Sequence, residues 1–212
     1  MSAHYADIAF TDRVGDVQQR YGSQKFYARR RHRGTGPDRI TPEVRAFLGA
    51  RDSFYLATVS ESGWPYVQFR GGPPGFLKVR DDTTIGWADF QGNLQYISTG
   101  NVAGDNRVAL IVMDYPHRRR LKIYGRARVV FPDDDAALIA DLGVPDYDAV
   151  VERGVLVEVE AFDWNCQQHI TPRYSVADLE PHLDTLRNRI ADLEAENTAL
   201  RDNCRPSEGG TR

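Results

Sequence analysis

Basic side chains on strand-like segments, next to the start of a helix-like segment, are the residues of this chain best suited to bind an anion. Arg70, Arg120 and Lys122 lie on predicted strands, and a predicted helix begins near Gly92-Asn93. The first N–H groups of a helix lack partners within it and attract phosphate, and arginine adds charge-assisted hydrogen bonds. If these strands converge on the helix start, the groups form a phosphate site. Further polar side chains follow on the same segment, at Gln95, Ser98 and Thr99.

A cysteine and a histidine farther along the chain raise the question of a metal or nucleophile site. Cys166 and His169 have the spacing of half a zinc site, but the sequence has no second Cys or His pair to complete it. A Cys–His nucleophile pair would need further groups that the sequence does not supply. We therefore expect no metal. His169 is the one candidate catalytic side chain, a donor near a ligand, with a structural histidine as the alternative.

Two clusters of arginine and one glycine-rich loop have plainer interpretations. Residues 29–33 and 118–120 fit solvated helix ends or turns, and the formal net charge of the whole chain is −3. We therefore do not expect a nucleic-acid binder. Residues 71–75 are rich in glycine and proline but lack the Lys-Ser/Thr of a P-loop, so a turn is predicted.

The composition is that of an ordinary soluble globular protein. The 212 residues are 41% hydrophobic and 27% charged. No stretch approaches the ~18 apolar residues that span a bilayer, and the N-terminus lacks the basic start and apolar run of a secretory signal. The two cysteines, Cys166 and Cys204, exclude a disulfide scaffold and fit a reducing compartment. We expect a cytoplasmic protein that does not associate with membranes.

Short strands dominate the middle of the chain, residues 53–175. Residues 108–113 are continuously apolar, which predicts a strand buried on both faces. Closely spaced strands with few helices indicate a closed or split β-barrel, a mainly β fold with helices (α+β). The predicted strands are 53–60, 64–70, 76–79, 84–88, 108–113, 121–131 and 155–160, with helical pieces near 94–102 and 133–142.

Helical patterns precede the barrel, over residues 1–52, and we expect them to pack on it. Residues 12–33 are predicted as one helix, which ends at the break after residue 33. Thr41 as N-cap and Pro42 in the first turn begin a second, short helix. The apolar stripe of this short helix is Val44, Phe47 and Leu48.

A heptad repeat predicts a single amphipathic helix over residues 176–204, followed by a disordered tail over 205–212. Three heptads are short for an isolated helix. Two interpretations stay open, a coiled coil with a second chain and an amphipathic helix lying on its own domain. The a positions are Leu183, Ile190 and Asn197, and the d positions are Leu179, Leu186, Leu193 and Leu200.

The charges beside this seam can be tested against a parallel pair of helices. Arg189 at g would face Glu194 at e of the other helix. Glu196 at g would likewise face Arg201 at e. Both pairs are attractive, and a lone Asn197 at an a position fixes the register of a dimer.

Four runs of sequence carry a family resemblance. They are Gly-Trp-Pro-Tyr-Val (63–67), Arg-Gly-Gly-Pro-Pro-Gly-Phe-Leu (70–77), Gly-Asn-Leu-Gln-Tyr-Ile-Ser (92–98) and Trp-Asn-Cys-Gln-Gln-His-Ile-Thr-Pro-Arg (164–173). Over about residues 15–175 the chain resembles the pyridoxamine 5′-phosphate oxidase-like family of FMN-binding split barrels, in particular an uncharacterised bacterial subgroup. The resemblance implies a homodimer with two FMN sites at the subunit interface. It also implies an FMN-dependent oxidoreductase that acts on an unidentified small molecule, with hydride transfer through flavin N5.

The resemblance, together with the donors described above, gives a set of expected cofactor-binding residues. The family's first flavin strand corresponds to 68–70, its second flavin segment to 87–89 and its phosphate grip to 92–94. An isoalloxazine ring also needs an aromatic wall, for which Phe69, Trp87 and Trp164 are candidates. The full set is Gln68, Phe69, Arg70, Trp87, Ala88, Asp89, Gly92, Asn93, Gln95, Arg120, Lys122, Trp164 and Arg173.

The chain departs from the family's oxidases at several of these positions. Gln68 stands where they carry Arg, and Asn93-Leu94 stands where they carry Arg-Lys. Their phosphate-binding lysine falls on the 71–75 loop, and their substrate-binding Tyr/Arg/Ser cluster has no counterpart. These departures point away from the pyridoxamine phosphate reaction itself. They leave open a flavin-binding or sensing module without turnover, and a deazaflavin or haem in place of FMN.

Overall fold

Seven antiparallel strands form one sheet in the computed structural model of the chain, which describes residues 2–28, 36–164 and 167–203. The sheet order is β2-β1-β5-β6-β7-β4-β3, so β2 and β3 lie at its two edges. The strands are β1 (Ser53–Val59), β2 (Pro65–Gly71), β3 (Lys78–Val79), β4 (Thr84–Phe90), β5 (Arg107–Asp114), β6 (Arg119–Val130) and β7 (Val151–Trp164). The helices are α1 (Ala3–Ala9), α2 (Asp12–Arg20), α3 (Gln24–Ala28), α4 (Pro42–Gly49), α5 (Ile97–Gly104), α6 (Pro132–Leu142) and α7 (Val176–Asn203).

The contacts divide the chain into two units, Met1–Ile170 and Thr171–Arg212. The first unit contains the whole sheet and the helices up to α6. The split β-barrel with surrounding helices, which the sequence predicts, is confirmed. Within the second unit the structure describes residues 171–175 and α7, and the start of the C-terminal helix at Val176 agrees with the prediction.

The β1–β2 hairpin forms as its sequence predicts. Ser60 N–H donates to the carbonyl of Trp64 over 3.0 Å, and Gly63 has φ +83°, which a glycine adopts without steric cost. In this register Leu56 lies opposite Gln68 and Phe54 opposite Arg70. The side chains of Gln68 and Arg70 therefore lie on the inner side of β2.

Strand β5 corrects the expectation of a strand buried on both faces. Its side chains alternate between buried and more exposed along the whole strand, and Ile111 is 40% exposed. Val108, Leu110 and Val112 are buried inside the barrel. The run is continuously apolar because both faces of β5 carry apolar side chains, and within the described residues those on the inner face are buried whereas those on the outer face stay partly exposed.

The N-terminal region contains more and shorter helices than the sequence predicts. The predicted helix over 12–33 is two helices, α2 and α3, because the chain turns at Tyr21-Gly22, where Gly22 has φ +74°. Residues 29–33 lie outside the described residues. Helix α1, capped by the Ser2 side chain, was not predicted.

Helix α4 confirms its predicted cap and stripe. Val44 N–H donates to Thr41 Oγ1 over 3.3 Å, and Pro42 occupies the first turn. The three predicted stripe residues are all buried against the barrel core, at Val44, Phe47 and Leu48.

The barrel interior is filled by large side chains from several strands. Trp87 of β4 is 1% exposed, and its ring centroid lies 4.9 Å from that of Phe54 on β1. Phe76 stacks on Phe54 with centroids 5.7 Å apart. These contacts bring β4, near one edge of the sheet, against β1, near the other, and so they set the distance between the two ends of the split barrel.

Candidate functional site

A cleft of about 190 Å³ lies between the inner side of β2, the end of β4, the segment before α5 and the start of β7. Five of the expected cofactor-binding residues line it together: Gln68, Arg70, Asp89, Gly92 and Asn93. The structure thus brings residues from two strands and one loop to a single place, as the sequence predicts for an anion site.

An aspartate links the two guanidinium groups of the cleft. Asp89 Oδ1 lies 2.9 Å from Arg70 Nη1, and Asp89 Oδ2 lies 3.3 Å from Arg153 Nε. The side chains of Asp89 and Arg153 are 6% and 7% exposed. Because Arg70 is on β2 and Asp89 on β4, this ion pair bridges the split between the two ends of the sheet.

Burial raises the pKa of Asp89 above its ordinary value, although Arg70 and Arg153 act in the opposite direction. Desolvation disfavours the charged form of a carboxyl group, and a nearby cation favours it. The net direction means that the desolvation of Asp89 outweighs the attraction of its two arginines. A proton therefore binds Asp89 at a higher pH than it binds an exposed aspartate.

A second carboxylate neutralises the rest of the charge in the cleft. Glu152 forms an ion pair with Arg153 and accepts a hydrogen bond from Tyr96 Oη over 3.2 Å. The Arg153 guanidinium also lies 4.7 Å from the centroid of the Tyr96 ring. Two arginines and two carboxylates give the cleft a balanced formal charge.

Helix α5 begins beside the cleft without a capping side chain. Its N-cap residue, Tyr96, has φ 55°, and no side chain of the described residues caps it. Thr99, in the first turn, lines the cleft. The first N–H groups of a helix have no intrahelical acceptor and carry a partial positive charge, so this helix end adds donors suited to an anion.

The start of α5 corrects the predicted start at Gly92. Leu94 and Tyr96 are both in the left-handed region, with φ 61° and 55°, so the helix begins only at Ile97. Gly92 and Asn93 lie in the loop before it. There, Gln95 N–H donates to Asn93 Oδ1 over 3.2 Å, and Asn93 Nδ2 donates to Gln95 Oε1 over 3.2 Å.

Two buried nitrogen atoms of the cleft have no hydrogen-bond acceptor within the described part of the chain. They are the Nε atoms of Arg70 and Arg153. The Arg153 Nε to Asp89 contact brings the opposite charges together without the geometry of a hydrogen bond. Buried donors without acceptors cost free energy, so an added anion with several oxygen atoms would satisfy them.

Gln68 is positioned by the helix that follows the cleft. Ser98 Oγ donates a hydrogen bond to Gln68 Oε1 over 2.8 Å. The amide oxygen of Gln68 thereby accepts a hydrogen bond, and its Nε2 amide group remains as a donor at the cleft. This contact also fixes α5 against β2.

Three expected residues lie next to the cleft in sequence but not on its wall. Phe69 points to the other face of β2, where its ring lies 5.8 Å from that of Tyr55. Ala88 points away from Asp89 and packs with Leu142 and Leu156. Trp87 lies in the barrel core rather than at the surface of the cleft. The alternation of side chains along a strand explains the placement of Phe69 and Ala88. Trp87 shares a face of β4 with Asp89 but packs in the barrel core.

The expected residues on β6 and at the end of β7 form a separate group. Lys122 Nζ lies 3.4 Å from Asp163 Oδ2 and 5.1 Å from the Tyr5 ring centroid. Trp164 packs edge-on against Phe47 with centroids 4.8 Å apart. Arg120 is half-buried two residues before Lys122 on the same strand.

The sheet order explains why this group does not reach the cleft. The strands β1 and β5 separate β6 from β2, and β7 separates it from β4. Within one chain Arg120 and Lys122 therefore do not meet Arg70, and the expected convergence of the three at one site stays a prediction. Only Arg70 lines the cleft.

The remaining expected residues lie near the end of the first unit and in the second. His169 is in a turn with φ 63° and is exposed. Arg173 lies in the second unit, on the segment before α7. Cys166, the other half of the Cys–His spacing, lies outside the described residues.

Sequence reasoning missed Tyr96, Glu152 and Arg153 as residues of the cleft. A signal for the last two was present, because Glu152-Arg153 is a charged pair that comes directly before the apolar run 154–157 of β7. A charged pair in such a strand must find partners when it is buried. The partners themselves come from β4 and from the loop before α5, and the local sequence of β7 does not reveal them.

A larger cavity of about 580 Å³ lies between α1 and the outer side of β1, β5 and β6. Its charged rim is internally paired. Arg107 Nη2 lies 2.5 Å from Asp105 Oδ2, and Arg126 Nε lies 2.8 Å from Glu160 Oε1. The cavity therefore presents mainly apolar surface, in contrast to the cleft with its buried arginines.

Two further kinds of feature are absent from the described residues. No group of three or more His, Cys, Asp or Glu side chains in residues 2–28, 36–164 and 167–203 is placed to hold a metal ion. Within the same residues, none of the helices has the length and apolar character needed to cross a membrane.

Comparison with known proteins adds a family match and several similar folds. An FMN-binding protein from Syntrophomonas wolfei is 11% identical, with 71% of this chain and 96% of that chain covered and a TM-score of 0.48. A Clostridium acetobutylicum protein related to general stress protein 26, of the pyridoxinephosphate oxidase family, is 12% identical, with coverage of 65% and 94% and a TM-score of 0.46. An F420 reductase is 21% identical, with coverage of 56% and 94% and a TM-score of 0.40.

None of the curated proteins is similar enough to count as a match. The model of the pyridoxamine 5′-phosphate oxidase family matches residues 40–159, which is more than half of the chain and includes β1 to β6 and all the residues that line the cleft. The chain therefore belongs to the pyridoxamine 5′-phosphate oxidase family.

Proposed function

We propose that this protein binds FMN and is an FMN-dependent oxidoreductase that acts on a small molecule. The observation that carries the proposal is the cleft, where the buried guanidinium group of Arg153, the largely buried one of Arg70 and an uncapped helix end meet in a chain of this family. When bound, the flavin supplies hydride transfer through its N5 atom. The protein's own residues bind and orient the cofactor.

The cleft fits the phosphate end of a flavin nucleotide. The Nε atoms of Arg70 and Arg153 are free to donate within the described residues, and phosphate supplies several acceptor oxygens. The first N–H groups of α5 add further donors and a favourable dipole. At about 190 Å³ the cleft is smaller than the roughly 300–1,000 Å³ of sites for whole small molecules, so it suits the phosphate and not the ring.

Strand β2 is placed to orient the ring. It is an edge strand, so the backbone groups on its outer edge are not used in the sheet. Such groups can donate to and accept from a flat heterocycle. Ser98 holds the neighbouring Gln68 side chain in place through its 2.8 Å hydrogen bond.

We further propose that two chains form a homodimer through the outer face of the barrel. Phe69, Tyr55 and Ile111 lie opposite one another on β2, β1 and β5, and all three are at least 39% exposed. The same row continues to Lys122 on β6. A second copy on this face would bring the separate group around Lys122 close to a cleft, which accounts for the division of the expected residues into two groups.

The C-terminal helix supports a second contact between the same two chains. The seam of α7 is exposed in the described part of the chain, with its leucines and Ile190 between 38% and 60% exposed. A parallel second copy pairs Asn197 with Asn197, whereas an antiparallel one centred on Ile190 would bury Asn197 against a leucine. The attractive pairing of Arg189 with Glu194, and of Glu196 with Arg201, favours the parallel arrangement.

The test is a titration of the full chain with FMN, followed by visible absorption and by light scattering after gel filtration. We expect altered flavin bands that elute with the mass of two chains. Replacing Arg70 or Arg153 with Gln removes a charge-assisted hydrogen bond, so FMN affinity falls by roughly ten- to a hundredfold. The matched control is Arg39→Gln, which leaves the affinity unchanged, because Arg39 is exposed and forms its ion pair with Asp82, away from the cleft.

An unchanged FMN spectrum in the presence of folded protein would exclude this cofactor and direct attention to a deazaflavin or haem. A flavin-binding or sensing module without turnover is the second candidate. It is favoured by the missing counterpart of the family's Tyr/Arg/Ser substrate cluster. Saturable flavin binding with no oxidation of substrate in air, and no reduction by NAD(P)H, would support it over the enzyme.

A further inference from the structure

We propose that Asp89 occupies the anion position of the cleft, so that a phosphate group binds tightly only when Asp89 is neutral. The inference rests on the proposed function and concerns how the same site selects its ligand. It predicts that the preference for FMN over riboflavin is weak at neutral pH and increases as the pH falls.

The carboxylate of Asp89 contacts the two arginines that would bind a phosphate. Its two oxygen atoms reach two different guanidinium groups, at 2.9 Å from Arg70 and 3.3 Å from Arg153. A phosphate in the cleft would use the same two groups. The carboxylate and the phosphate therefore compete for one set of donors.

Asp89 cannot readily leave this position. It has a short side chain, and its backbone lies in the β4–β7 ladder directly opposite Arg153. Glu152, by contrast, lies one residue from the start of β7, and its longer side chain is held by Tyr96 and Gln91 at the edge of the cleft. A phosphate that displaces Glu152 would still meet the charge of Asp89.

Repulsion between Asp89 and a phosphate is relieved by a proton. The ionisable groups that face Asp89 are Arg70 from β2 and Arg153 with Glu152 from β7, and Tyr96 closes the cleft from the α5 side. Burial already raises the pKa of Asp89. A phosphate that takes over the arginines removes the groups that oppose this rise, so the pKa of Asp89 rises further in the complex.

The sign of the pH effect follows from this coupling. The complex binds a proton on Asp89 that the free protein does not bind, so lower pH favours the complex. The effect lies above the ordinary titration range of aspartate, near pH 3.9, because the pKa of Asp89 is raised. The phosphate's own protonation, with a pKa of about 6, acts in the opposite direction because it lowers the charge that the arginines attract.

The experiment compares FMN with riboflavin, which lacks the phosphate, on the full chain between about pH 8 and pH 5.5. Binding is measured by flavin fluorescence for the wild type, for Asp89→Asn and for the control Asp82→Asn, whose exposed carboxylate pairs with Arg39. We expect Asp89→Asn to bind FMN at least about tenfold more tightly than the wild type near pH 8, with riboflavin little changed. In the wild type the FMN-to-riboflavin preference rises as the pH falls, and in Asp89→Asn it does not.

The proposal is overturned if Asp89→Asn binds FMN more weakly than the wild type, because Asp89 would then hold the arginines in place for the ligand. It is also overturned if the wild-type preference does not change with pH, a measurement that needs no variant to fold. If no flavin binds to folded protein, the proposed function fails separately. Stabilisation by inorganic phosphate in thermal unfolding then decides the matter, since a larger shift for Asp89→Asn than for the wild type supports the role of Asp89 and an equal or smaller shift rejects it.

Discussion

The strands of the first unit and helix α7 of the second carry the same kinds of apolar residue, but the two regions bury them differently. Phe54, Trp87 and Leu121 have at most 1% of their surface exposed, whereas the α7 seam is 38% to 60% exposed. A strand repeats every second residue and meets its neighbours within the same sheet. A heptad seam repeats every 3.5 residues and needs another helix with the same repeat. The difference predicts where substitutions will act.

The largest effect is expected in the barrel interior. Replacing Trp87 with Ala removes a buried ring that packs on Phe54, and we expect the free energy of unfolding to fall by about 3–5 kcal/mol. The matched control is Trp64→Ala, because Trp64 is 75% exposed and its loss should change this free energy by no more than about 0.5 kcal/mol. Urea unfolding of both variants is the measurement. Equal costs for the two tryptophans would contradict the assignment of Trp87 to the core.

A smaller effect is expected where two strand backbones approach closely. A Cβ on Gly125 would lie 2.5 Å from the backbone oxygen of Glu158, at the irregularity between Tyr124 and Gly125 where β6 and β7 pair. Because a backbone atom in a ladder cannot move aside easily, Gly125→Ala should lower the free energy of unfolding by roughly 1–3 kcal/mol. Gly49→Ala, with open space around the added Cβ, serves as the control. An unchanged unfolding midpoint for Gly125→Ala would show that the two strands can separate at this point without cost.

Local features of the fold were predictable from the sequence because short-range chemistry determines them. The Thr41 cap, the turn at Gly63 and the start of α7 at Val176 all follow from a few adjacent residues. Features that depend on distant strands were not predictable. The apolar run of β5 did not reveal that the side chains on its outer face stay partly exposed in the described part of the chain, because that depends on what packs outside the sheet.

The residues of the candidate site also fall into those that nearby sequence predicts and those that depend on the pairing of distant strands. Arg70, Asp89 and the loop at Gly92 follow one another along the chain and were expected together, and the cleft brings them together. Arg153 reaches the site through the pairing of β7 with β4, a contact between residues 64 positions apart, and it was missed. Arg120 was expected at the site and lies elsewhere, because only the sheet order, and not the strand pattern, determines which strands are neighbours.

Substitutions in α7 are expected to have the smallest effect on the stability of the barrel. They also test most directly whether the apolar seam of α7 is buried by a second chain. If its seam binds a second copy in parallel, Leu200 at a d position lies beside Leu200 of that copy, whereas Ala199 at a c position faces solvent. With Cys166 and Cys204 replaced by Ser, Leu200→Cys should form a disulfide-linked dimer in air, and Ala199→Cys should not. Neither variant should change the unfolding midpoint of the barrel before oxidation, because both positions lie in the other unit.

The same pair of variants separates the alternatives for the seam. In an antiparallel pair centred on Ile190, the two copies of residue 200 lie at opposite ends of the coil, so Leu200→Cys would stay reduced. If the helix instead lies on its own domain, residue 200 also has no second copy beside it, and Leu200→Cys stays reduced. In that case Ile190→Asp would in addition lower the unfolding midpoint of the barrel. A parallel coil instead predicts that Ile190→Asp, in the Leu200→Cys background, abolishes the cross-link and leaves the barrel midpoint unchanged. The apolar residues of α7 would then stabilise the association of two chains and contribute nothing to the folding of one.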